Sequence, residues 1–263
     1  MQQWEAAVDL SISTCFDATI PLDAQLPLIA QAGFTYVSLS GNRDHFDYLA
    51  AEQRHHLRGL LRRVSLRLDT LHGPRLHQVT DETLVEVVHA AADLTVPIVV
   101  VHAGPFDLEG VDLAGHLERT LNTCSAIESV LRATGVRMAL ENVLPGPATE
   151  LVRSALMQLD PAYFGFCYDS SHDQIDGPRP FNLLAELQDR VIAVHLSDRV
   201  RAFTDHVLPG EGFIAWDDLL CLLRTSPFAG PLLLEVMMAH SSYKDAPLFL
   251  QQAYQRGASK LNE

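Results

Sequence analysis

The chain has 263 residues, 48% of them hydrophobic and 20% charged, which excludes collagen-like, disordered and peptide-scale readings. Nineteen Lys and Arg stand against 33 Asp and Glu, a formal net charge of −14 that argues against a protein built to hold nucleic-acid backbone. The four cysteines, Cys15, Cys124, Cys167 and Cys221, are too dispersed for a disulfide framework or a C-x-x-C zinc site, so a reducing compartment is expected.

No export signal is expected from the opening Met-Gln-Gln-Trp-Glu, which lacks a basic stretch and a long hydrophobic core. The longest apolar run, around Ile98 to Val101, falls far short of the roughly 20 residues of a membrane helix. The expectation is a cytoplasmic protein with no membrane partner.

In chain order, eight short apolar runs read as strands: Val8 to Ser13, Tyr36 to Ser40, Ser65 to Leu71, Ile98 to Val101, Arg137 to Leu140, Phe164 to Tyr168, Val191 to Leu196 and Leu232 to Val236. Their starts are 27 to 41 residues apart, room for a helix and two loops each time. Helices are predicted over Leu22 to Ala32, closed by Gly33, and over Glu82 to Leu94, capped by Asp81. Further helices are predicted over Leu113 to Ala133, before Gly135, and over Lys244 to Lys260. Eight strand-helix units in this length match a (β/α)8 TIM barrel of the α/β class. A doubly wound open sheet is the rival, but Ser13-Thr14-Cys15-Phe16 follows the first strand where a dinucleotide fold carries G-x-G-x-x-G. With no linker or composition break, residues 1–263 read as one domain.

A parallel barrel gathers all strand ends on one rim, where active sites are built. Six consecutive strands end on an imidazole or a carboxylate: His72, His102, Glu141, Asp169, His195 and Glu235. Singly, each reads best as scaffolding. Together at an apolar barrel mouth they suffer desolvation and mutual repulsion unless a cation joins them. Glu141, Asp169, His195 and Glu235 offer one nitrogen and several oxygens, a set suited to one divalent ion, Mn2+, Mg2+, Co2+ or Zn2+. No organic cofactor is expected.

The ordered set His72, His102, Glu141-Asn142, Asp169-x-x-His172, His195-x-x-Asp198, Asp205-His206, Pro209-Gly210-Glu211-Gly212 and Glu235 resembles the xylose isomerase-like TIM-barrel superfamily, and within it the sugar phosphate isomerase/epimerase group. The likeness spans nearly the whole chain. It implies a metal held by Glu141, Asp169, His195 and Glu235, with Glu141 and Glu235 also serving as the acid/base pair. His72, His102, His172, Arg201 and His206 fall where the resemblance implies contacts to substrate oxygens. Ketose epimerases of the superfamily carry a further glutamate six residues after the strand-five ligand. Here that position is Pro147 and the nearest acid is Glu150.

Such a site suits aldose-ketose isomerisation or epimerisation of a small sugar or polyol by proton transfer through a metal-stabilised enediolate. Only Lys244 and Lys260 are present, and neither lies in a predicted strand, which rules out a strand-borne Schiff-base lysine. The loop after the eighth strand has no glycine for a phosphate cradle, leaving Gly210 and Gly212 as the candidates. A metal-dependent dehydratase of a cyclic polyol ketone needs the same proton abstraction and stays open. An endonuclease IV-like zinc phosphodiesterase is the rival, since that enzyme of the superfamily uses histidines matching His72 and His102 for one zinc and His172 and His206 for another; the net charge opposes it. A non-catalytic sugar binder and a homo-oligomer are also compatible with the sequence. Phe16, Phe106 and Phe203 are candidate pocket walls, Trp216 a packing anchor, and Cys15 and Cys167 apolar fillers.

Overall fold

The computed structural model describes residues 9–262 apart from Asp107, Glu109 and Val111. All eight predicted strands form: β1 (Leu10–Ser13), β2 (Tyr36–Leu39), β3 (Arg67–His72), β4 (Ile98–Val101), β5 (Arg137–Glu141), β6 (Phe164–Asp169), β7 (Val191–His195) and β8 (Leu232–Leu234). Every neighbour pairs in parallel, in the order β7-β6-β5-β4-β3-β2-β1-β8. The ring closes through a bridge between Leu196 and Leu234, where Leu196 N donates to Leu233 O at 2.8 Å and Glu235 N to Leu196 O at 3.0 Å. Eight parallel strands with helices between them make a nearly closed TIM barrel.

The intervening helices are α1 (Leu22–Ala32), α2 (Ala51–Val64), α3 (Asp81–Asp93), α4 (Leu113–Thr134), α5 (Pro147–Leu156), α6 (Asn182–Leu187), α7 (Trp216–Thr225) and α8 (Ala246–Asn262). Several expected boundaries move. Thr80, rather than Asp81, caps α3, its hydroxyl accepting from Thr83 N. The last helix starts two residues later than expected because the Asp245 carboxylate accepts from Leu248 N at 3.1 Å. At β8 the ladder stops at Leu234, before Val236. Val8 lies outside the described residues. Among the described residues no helix is long and apolar enough to cross a membrane.

Strand periodicity positions the site. Val100, Ala139, Cys167 and Ala193 form a small apolar cluster of their own inside the barrel, separate from the large core between sheet and helices. Two residues further along each strand, on the same face, come His102, Glu141, Asp169 and His195. The floor of small side chains therefore carries a layer of imidazoles and carboxylates directly above it.

The opposite half of the interior is polar. Thr70 Oγ1 donates to Ser38 Oγ at 2.6 Å, and Thr70 N donates to the buried Asp69 carboxylate at 2.7 Å. Burial pushes the Asp69 carboxyl up to about 6, against the Ser11 hydroxyl and the Thr70 amide, which favour the ion. A carboxyl raised this way binds its proton more tightly folded than unfolded, so its contribution to stability is present below the unfolded value of 3.8 and is lost as pH rises through about 6. Urea unfolding of the metal-stripped chain is expected to find Asp69→Asn more stable than wild type at pH 8, by on the order of 2 kcal/mol. Near pH 4 the two should be close, and an equal loss at both pH values would contradict a protonated Asp69.

Candidate metal centre and active site

Glu141 sits at the centre of the ring of imidazoles. Its Oε2 lies 3.3 Å from His72 Nε2 and 3.3 Å from His102 Nε2, and its Oε1 lies 3.3 Å from His195 Nδ1 and 3.6 Å from His172 Nδ1. His195 Nδ1 is also 3.2 Å from Glu235 Oε2, so one imidazole nitrogen is shared by the two glutamates. Asp169 Oδ2 approaches His172 Nδ1 at 3.4 Å. One ligand atom from each of Glu141, Asp169, His195 and Glu235 falls within 4.8 Å of all the others.

Close approach has not produced good hydrogen bonds. Glu141 Oε2, Asp169 Oδ2, His102 Nε2, His172 Nε2 and His195 Nδ1 are buried without a hydrogen-bond partner. Buried polar atoms in this number are rarely left unpaired, and a cation among them would satisfy them together. The residues present therefore fit a divalent ion bound by Glu141, Asp169, His195 and Glu235. His72 and His102 with Glu141, and Asp169 and His172 with His206, make further groups within ligand reach.

Electrostatics show what the ring does without the ion. Burial opposes charge on Glu141, yet the imidazoles of His195 and His102 hold its carboxyl well below the usual range. Glu235 likewise resists burial and is held at about 2, chiefly by His195. Conversely, burial disfavours the His195 imidazolium, but Cys167, Glu235 and Glu141 outweigh it and raise His195 well above its ordinary value. His172, opposed by burial and supported by Asp169 and Glu141, rises to about 9. The proton on His195 thus stands where a metal would otherwise neutralise the carboxylates.

Neighbouring backbone fixes these side chains. Asn142 Nδ2 donates to Asp169 O at 2.9 Å while its Oδ1 accepts from Asp169 N at 2.8 Å, locking β5 to β6 at the site. The other Asp169 oxygen, Oδ1, accepts from Ser171 N at 2.7 Å and His172 N at 3.0 Å, leaving Oδ2 for the ring. His206 Nδ1 meets the hydroxyls of Ser197 at 3.1 Å and Ser171 at 3.3 Å. Asp198 gathers the amides of Arg199, Gly210 and Ile214 and the indole N–H of Trp216, at 2.8 to 3.1 Å. Gly212 is required there, because a Cβ would fall 2.2 Å from Arg199 O.

A cavity of about 770 Å³ opens over the ring. His72, His102, Glu141, His172, His206 and Glu235 line it, while Asp169 and His195 lie behind them, 0% and 1% exposed. Of the candidate walls, Phe106 lines the cavity; Phe16 is buried against Phe249, and Phe203 stacks on the Arg199 guanidinium instead. Cys15 is a wall residue, its thiol pushed up to about 12 by burial.

Arg201 does not join the site. It is exposed, and its backbone N–H donates to Asp205 Oδ2 at 2.6 Å in a turn that also ties down Val200 and Ala202. The buried arginine of this loop is Arg199, which donates to Ser171 O at 3.0 Å and Asp173 O at 2.9 Å. Counting six residues from His195 lands on a surface position because Arg199 has already turned inward. Pro147 opens α5, and Glu150 pairs with Arg153; both face a separate cavity. Sequence reasoning missed Asn42, Arg75, Met237 and His240, which also line the main cavity. They stand in the loops beyond β2, β3 and β8, where the only available signal was proximity to a strand end.

Comparison with known proteins agrees with this architecture. The D-tagatose 3-epimerase-like protein superposes with a TM-score of 0.76 at 20% identity, covering 97% of this chain and 100% of that one. The structure of the IolI protein with a binding zinc atom gives 0.75 at 18% identity, over 97% and 98%. An uncharacterized protein, y4fM of Sinorhizobium fredii, is 27% identical over 165 residues, 60% of this chain and 52% of its own length. The chain spans about half the length of the curated relatives it matches. Residues 26–253 match the family described as xylose isomerase-like TIM barrel, and the chain belongs to that family.

Proposed function

We propose that the chain is a divalent-metal-dependent isomerase or epimerase of a small sugar or polyol, working as a single barrel domain by proton transfer. The observation that carries this reading is the pair Glu141 and Glu235, both at the cavity wall and both within 3.3 Å of the same His195 nitrogen. The D-tagatose 3-epimerase-like neighbour and the zinc-binding one support it.

When bound, a divalent ion supplies the positive charge that lowers the energy of an enediolate formed beside a carbonyl. The protein residues do the rest. Glu141 and Glu235 are both held ionised, so each can accept a proton from a substrate carbon, and β5 and β8 bring them in from different sides of the rim. His72, His102, His172 and His206 line the same cavity and can hold hydroxyl or carbonyl oxygens in position. Phe106, edge-on to His102 at 5.0 Å and to His172 at 5.6 Å, forms an apolar wall that excludes water from the carbon being deprotonated.

The phosphodiesterase reading is favoured by one observation, the second and third ligand groups around His72 and His206. Zinc content separates the two: about one ion per chain supports proton transfer, and about three support hydrolysis of a phosphodiester.

Metal-reloaded protein incubated in D2O with ketoses and polyol ketones is expected to place deuterium at the carbon beside the carbonyl, read by NMR. Glu141→Gln and Glu235→Gln should each lower that exchange by about 10²- to 10⁴-fold with the fold intact. Full exchange in either variant rejects the acid/base pair.

A second expectation follows from the raised His195. Below its raised value the imidazole keeps its proton, and above it the nitrogen is free, so apparent metal affinity should rise with pH as that proton is released. Calorimetric titration in buffers of different ionisation enthalpy measures the proton released. Affinity independent of pH, with no proton release, contradicts His195 as a ligand.

A further inference from the structure

Arg75 follows the strand-end His72 by three residues and reaches the cavity wall from the loop after β3. Its guanidinium carbon lies 4.9 Å from the centroid of the Phe106 ring. That ring is itself edge-on to His102, whose Nε2 is 3.3 Å from Glu141. The cation thus stands one aromatic ring away from the metal-binding residues, on the same cavity.

What distinguishes Arg75 is that, among the described residues, its guanidinium meets an aromatic ring and no hydrogen-bond acceptor. Among the described residues, every other arginine that is at least partly buried donates to a carboxylate or a backbone carbonyl. Arg54 does so to Asp93 at 2.6 Å and Arg190 to Phe164 O at 2.9 Å. Arg75 is half-buried, and its side chain makes only its contact with Phe106 among those residues. Among the described residues, the carboxylates lining the cavity are Glu141 and Glu235, both part of the ring. In a chain of net charge −14, an anionic ligand is repelled at long range and needs a local cation to enter. A guanidinium stacked on an aromatic face keeps its in-plane N–H donors free, the geometry that matches a carboxylate or a phosphate with two hydrogen bonds.

We propose that Arg75 is a specificity-determining residue that receives an anionic group, carboxylate or phosphate, on the sugar at the end remote from Glu141 and Glu235. This rests on the sugar isomerase or epimerase reading of the same cavity, and it places anion recognition on the loop after β3 rather than at Gly210 and Gly212.

The test is binding, so that it does not depend on turnover. Metal-reloaded wild type and Arg75→Gln are titrated calorimetrically with two matched pairs, D-ribulose 5-phosphate against D-ribulose and D-fructuronate against D-fructose. Wild type is expected to prefer the charged member of at least one pair by about tenfold or more, the pair showing which anion is read. Arg75→Gln should abolish that preference while leaving affinity for the neutral sugars unchanged. No preference in either pair overturns the proposal, and a preference that survives Arg75→Gln overturns it too, since the anion is then held elsewhere, as on the metal itself. If the Arg75-dependent preference holds but D2O exchange fails, the isomerase reading is what falls.

Discussion

The structure depends on one electrostatic constraint: the buried carboxylates of Glu141 and Asp169, the partly buried Glu235 and several imidazoles crowd together at the mouth of the barrel. Glu141 and Asp169 are 1% and 0% exposed, and each leaves an oxygen with no hydrogen-bond partner. Unpaired buried carboxylates cost several kcal/mol each, so the arrangement persists only if something positive stands among them. Without a metal that role falls to the His195 proton, held by both glutamates. A divalent ion would satisfy the same oxygens and the same nitrogen at once.

The surrounding architecture keeps these groups from escaping the constraint. Val100, Ala139, Cys167 and Ala193 fill the barrel beneath the site with small side chains, so the layer of imidazoles and carboxylates sits on a packed floor. Asn142 holds β6 at its end, and Asp169 Oδ1 is tied to the Ser171 and His172 amides, which aims its other oxygen into the ring. On the far side, Asp198 collects four donors and packs the Gly210–Gly212 turn against the loop that carries His206. The ring is therefore held in place by backbone hydrogen bonds.

Most of this was legible in the sequence for a physical reason. The alternation of strand and helix, with the rule that barrel sites lie at strand carboxyl ends, puts Glu141, Asp169, His195 and Glu235 on one rim. β3, β5 and β6 in fact run one residue further than expected, so that His72, Glu141 and Asp169 are the last strand residues themselves. Loop positions were harder to read. Arg201 was expected at the substrate and lies on the surface, whereas Arg199, two residues earlier, is buried between Phe203 and Phe213. A loop has no repeat to tell which side chains face inward, and the turn around the Asp205 carboxylate decides it here. Arg75, in the loop after β3, is hard to read for the same reason.

The central claim is that the ring at the barrel mouth is a cation site. The most direct measurement is an anomalous difference map from crystals of zinc-reloaded protein, collected on both sides of the zinc absorption edge. The account predicts a strong peak bonded to Glu141, Asp169, His195 and Glu235, at ligand distances of about 2.0–2.2 Å. A map with no peak among these four residues at saturating zinc, or with zinc held only by His72 and His102, would contradict it.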